Sequence, residues 1–104
     1  MTVAAPDEII HQSTRLKLMS VLNAMPDGQG LDFKRLKAIA QATDGNLGAH
    51  LATLEKAGYV AILKDFVGKR PRTQAVISRA GRRAYEQHLQ YLRDILEGVV
   101  PEEG

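Results

Sequence analysis

Apolar residues recur at helical spacing in four stretches of this chain and at alternate positions in a fifth. The clearest stretch is Thr43 to Tyr59, where Leu47, Leu51 and Leu54 repeat at intervals of four and three and so share one face of a helix. Thr43 and Asp44 can each accept from the free N–H groups of a first turn. Gly58 supplies the left-handed residue that closes such a helix, with Tyr59 folding back onto Leu54. The face opposite the leucines carries Asn46, His50 and Thr53, short groups that donate and accept hydrogen bonds. Such a face is suited to reading a polar surface.

Upstream, the pattern predicts a first helix within Asp7 to Met25, with Ser13 as a second possible cap and Leu16, Leu18, Met19, Val21, Leu22 and Met25 forming a wide buried face. Pro26, Asp27, Gly28 and Gly30 end it. A short extended piece at Gly30 and Leu31 leads to Asp32, the cap of a second helix. There Leu31 and Leu36 form a hydrophobic staple, Phe33, Leu36, Ile39 and Ala40 face inward, and Lys34, Arg35 and Lys37 face out. Only Gln41 and Ala42 separate this helix from the one at Thr43. That arrangement predicts a helix-turn-helix, whose second member lies in the major groove when the target is DNA, although the turn has no glycine. After Gly58 the period changes to two, with Val60, Ile62, Lys64 and Phe66 on one side. A basic tip, Gly68-Lys69-Arg70-Pro71-Arg72, precedes a second strand over Thr73 to Ile77. Ser78 caps a last helix in which Tyr85, Leu89, Leu92, Leu96 and Val99 form a heptad seam. So long a stripe fits pairing with the same helix of a second chain, or folding back on the first helix.

Composition narrows the picture. With 104 residues and 44% hydrophobic content, the expectation is a single domain spanning 1–104, mainly α within an α+β class, with 1–6 as a flexible arm. The absence of cysteine excludes disulfides and thiolate metal sites. No apolar run approaches the roughly 20 residues of a membrane span, and MTVAAPDE lacks the form of a secretion signal. The expectation is a soluble cytoplasmic protein with no membrane partner. The net charge of +2 conceals a strong segregation: residues 64–83 carry seven basic side chains against Asp65 alone, whereas residues 85–104 are net acidic. A basic segment at a hairpin tip is suited to phosphate. His11, His50 and His88 fall on separate segments without a ligand pair, and no catalytic grouping stands out. No metal, cofactor or enzymatic activity is therefore expected.

The stretches FKRLKAIAQATDGNLGAHLATLEKAGYV (33–60) and FVGKRPRTQAVISRAGRRAY (66–85) together resemble the winged-helix DNA-binding domain. More narrowly, they resemble the small stand-alone regulators related to the MarR and ArsR groups. The resemblance covers nearly the whole chain. It implies three helices and a two-stranded wing with a long C-terminal dimerisation helix, divided as recognition helix 43–58, wing 59–77 and dimerisation helix 78–100. It further implies a homodimeric, sequence-specific transcriptional regulator of double-stranded DNA. Asn46 and His50 are the candidates for base contacts. Thr43, Thr53, Lys34 and Arg35 are candidates for the phosphate backbone, and Lys69, Arg70 and Arg72 for the flanking backbone or minor groove. Tyr85, Leu89, Leu92, Leu96 and Val99 are the candidates for dimerisation. Thiolate metal sensing is not inherited, and whether an effector ligand exists is left open. The alternative is a winged-helix adaptor whose basic wing docks an acidic protein.

Overall fold

The computed structural model describes residues 5–98. Its elements run α1 (Ser13–Asn23), β1 (Leu31–Asp32), α2 (Phe33–Ala40), α3 (Asp44–Lys56), β2 (Val60–Val67), β3 (Arg70–Ile77) and α4 (Arg79–Leu96). The strands form one antiparallel sheet in the order β1-β3-β2. The four helices are those expected, and a third strand joins the two-stranded wing, because the extended piece before α2 pairs Leu31 with Ala75 and Asp32 with Gln74.

The core forms where the helical stripes converge on the inner half of the sheet. Leu18, Met19 and Leu22 of α1, Leu36 of α2 and Leu47 and Leu54 of α3 are fully buried, and they pack with Val60, Ala75 and Ile77 of the hairpin. Truncating any of these leucines to alanine leaves a cavity, at a cost of about 2–5 kcal/mol. Ile39 departs from the expected inward face: it is 37% exposed, since an eight-residue helix meeting the core along Leu36 and Ala40 leaves it on the flank.

Three local details differ from the sequence reading. Ser13 is not the cap of α1; Gln12 is, its side chain accepting from the Arg15 amide at 2.9 Å. Asp7 instead starts a separate turn, its Oδ1 accepting from the amides of Ile9 and Ile10, which drives Ile10 into the core. The second wing strand begins at Arg70, three residues early, so the turn is only Gly68-Lys69, and Arg70, Pro71 and Arg72 pair with Val67, Phe66 and Asp65. At the other end of the hairpin, α4 approaches so closely that a Cβ on Gly81 would lie 2.2 Å from the Tyr59 carbonyl oxygen. Only glycine fits there. Met1 to Ala4 of the proposed arm, and Val99 and Val100 of the last helix, lie outside the described residues.

Candidate nucleic-acid interface

α3 is built as its sequence implies. Thr43 is the cap, its Oγ1 accepting from the Asn46 amide at 3.1 Å, and Asp44 turns aside to pair with Lys37 Nζ at 2.6 Å. The ion pair ties α2 to the start of α3. At the far end the Tyr59 amide donates to the Leu54 carbonyl and the Gly58 amide to that of Glu55, with Gly58 at φ +81°. This is the double bond pattern of a Schellman close. Between α2 and α3 the missing glycine is replaced by Gln41, which adopts the left-handed conformation at φ 52°.

Asn46 is exposed; its backbone amide is taken by Thr43, and its side-chain amide is unengaged by the described residues. His50 is half-buried, its Nδ1 lying 3.2 Å from a guanidinium nitrogen of Arg15 on α1. Burial and then the Arg15 charge push the His50 pKa down, which favours the neutral ring. Thr53 returns its hydroxyl to the Ala49 carbonyl at 3.0 Å. Arg15 was not legible as part of this face, because in sequence it is one more polar position on an ordinary helix. On α3 an added Cβ at Gly45 or Gly48 would meet open space, so neither glycine is required by packing.

Beside the start of α3 lies a cleft of about 500 Å³, walled by Phe33, Lys34 and Lys37 on one side and by Val67 and the first residues of β3, Arg70, Pro71, Arg72 and Thr73, on the other. It brings Lys34, Arg70 and Arg72 together. Lys69 in the turn and Arg35 on α2 are exposed but outside its lining. Arg72 is braced by Asp65, which accepts at 2.9 and 2.6 Å and is held below the usual carboxylate range by that guanidinium. Arg70 carries no such brace among the described residues. Arg82 leaves the basic set entirely: its guanidinium donates to the carbonyls of Asn23 and Met25 and pairs with Asp27, sealing the C-terminus of α1.

The heptad seam divides along its length. Tyr85 is buried in its own chain, its hydroxyl donating to Ser20 on α1 at 3.0 Å, and Leu89 packs against the same core. Leu92 is half-buried, Ile95 is 52% exposed and Leu96 is 85% exposed, while Val99 lies outside the described residues. No group of three or more possible metal ligands occurs among the described residues, although the His11 and His88 rings meet at 5.4 Å.

A family model for the winged-helix DNA-binding domain matches residues 14–96. The chain belongs to that family. This winged-helix protein is 31% identical over 90 residues to an uncharacterised protein of Methanocaldococcus jannaschii, covering 86% of this chain and 91% of the relative. Its fold is similar to that of a transcriptional regulator homologue from Pyrococcus horikoshii OT3, with a TM-score of 0.78, 27% identity and 89% of each chain covered. It also shares its fold with NadR, solved in complex with 4-hydroxyphenylacetate. There the TM-score is 0.66 and the identity 24%, over 88% of this chain and 64% of that one. Within this winged helix, α3 is the second member of the helix-turn-helix and the β2–β3 hairpin is the wing. Among the described residues, no helix is long and apolar enough to cross a membrane.

Proposed function

We propose that the protein is a sequence-specific, double-stranded DNA-binding transcriptional regulator that acts as a homodimer. The observation that carries this reading is the cleft at the start of α3, whose lining includes Lys34, Arg70 and Arg72, together with Asn46 exposed in the first turn of that helix. A polar rod enters a major groove while flanking cations neutralise phosphate. Half-sites then lie about 10 bp apart, set by the dimer axis. In a gel-shift titration, affinity for a selected duplex is expected to fall steeply with salt. Arg70→Ala lowers that slope by about one counterion per protomer, and Arg72→Ala by less, because Asp65 already neutralises it. A slope near zero for the unmodified protein defeats the reading.

One observation favours the adaptor instead: Phe66, near the wing tip, is 71% exposed. An apolar ring there suits a protein partner. Failure to retard any duplex at low salt would favour that adaptor.

A further inference from the structure

We propose that Arg15 is a positioning residue that holds His50 with its proton on Nε2, so that the recognition helix presents one fixed donor at that position; the inference rests on the DNA-binding reading above.

A guanidinium has five donors and no acceptor. With an Arg15 nitrogen 3.2 Å from His50 Nδ1, a hydrogen bond there needs Nδ1 as acceptor, and a neutral imidazole then carries its proton on Nε2. The clamp is itself anchored. Arg15 Nε donates to the Ile9 carbonyl, and the Arg15 amide donates to the Gln12 side chain at 2.9 Å. The turn carrying Ile9 is fixed in turn by Asp7, which accepts from Tyr59 Oη at 2.6 Å, and by the buried Ile10. The guanidinium thus has little freedom to release the ring. Its charge also opposes the imidazolium form, in which Nδ1 would become a second donor facing Arg15.

His50 Nε2 has no partner among the described residues, and it is not among their sealed, unpartnered polar atoms. It lies one helical turn after Asn46. An N–H fixed at that place can donate to guanine N7 or O6, thymine O4 or adenine N7, whereas cytosine offers it only the like donor at N4. A ring free to exchange tautomers would accept either class. Discrimination at this position therefore comes from Arg15, which touches no base in this arrangement.

The test uses the full chain in two measurements. Long-range ¹H–¹⁵N correlation of the histidine rings at pH 7.5, with His50 assigned through His50→Gln, is expected to show the proton on Nε2. In Arg15→Met both tautomers appear. Selection from a random duplex pool is expected to give one position per half-site at which Arg15→Met loses roughly five- to tenfold of the preference, while other positions are retained. Arg15→Lys, which keeps a donor, restores part of it and serves should the methionine variant not fold. A proton on Nδ1 in the unmodified protein, or an Arg15→Met protein with unchanged tautomer and preference, overturns the proposal. If the unmodified protein retards no duplex, the base-reading role falls with the DNA reading, and the ring spectrum still decides the clamp.

Discussion

Gln41 carries a cost that its neighbours do not. It sits in the left-handed region at φ 52°, where a side chain costs roughly 1–2 kcal/mol and glycine none. Glycine loses more chain entropy on folding, so Gln41→Gly is expected to stabilise the protein by about 0.5–1 kcal/mol, raising the melting temperature by roughly 2–8 °C. Calorimetry of the two proteins checks it, and a lower melting temperature would mean that the Gln41 side chain has a stabilising role. His88 is the second residue whose setting has a measurable consequence. Its ring is buried against His11 and Tyr91, and Nδ1 accepts from the Asp7 amide at 3.1 Å. Burial, and then the nearby His11, push its pKa down, outweighing the Asp7 carboxylate, which pulls the other way. The unfolded chain therefore binds this proton more readily than the folded one. The contribution to stability is complete above the ordinary histidine value of about 6.5 and is lost as pH falls from there to the depressed folded value. His50 acts with the same sign. Melting temperature is expected to drop between pH 7 and 5. His88→Gln, which keeps an acceptor for Asp7, should show a shallower drop, His50 supplying the remainder.

α3 carries a helix-weakening residue in its interior. Gly48 lies in its interior, exposed and with open space around it, where alanine would be favoured by roughly 0.5–1 kcal/mol. A glycine retained at such a cost without a packing reason suits a backbone that must approach another surface closely. Gly48→Ala is accordingly expected to raise the melting temperature by a few degrees and to weaken duplex binding several-fold. Stabilisation with unchanged binding would show that this side of α3 stays clear of the duplex. The hairpin has its own division of labour. Its inner half is core, with Val60 opposite Ile77, while its outer half carries Phe66, Val67 and the basic residues into solvent. Asp65 and Arg72 face one another across that outer half and help hold its register.

For the molecule as a whole, the uncovered end of α4 is the surface to probe. The first turns of the helix are tied to α1 through Tyr85 and Ser20, which leaves Leu92, Ile95 and Leu96 as the part of the seam able to meet a second chain. Sedimentation equilibrium is expected to give twice the chain mass, and Leu96→Glu to weaken association roughly tenfold or more, since burying a leucine is worth about 1.5–3 kcal/mol. An unmodified protein that sediments as a monomer at micromolar concentration removes the homodimer, and the spacing of half-sites with it. The Tyr85→Phe variant should leave association intact, because that hydroxyl acts within one chain.

Local signals were legible because they are written in adjacent residues: the leucine spacing of α3, the Thr43 cap, the Gly58 close and the change to period two after it each follow from backbone geometry over a few positions. The sequence by itself therefore determined the order and type of the elements and which face of α3 is polar. Partnerships across the chain were not legible, because charge and hydropathy say what a side chain seeks and not what it will find. Only the tertiary structure decided that Arg82 closes α1, that Arg72 is braced by Asp65 and that Tyr85 faces inward. It alone brought Arg15, 35 positions away in sequence, against His50, because packing of α1 on α3 sets that distance and no local pattern encodes it.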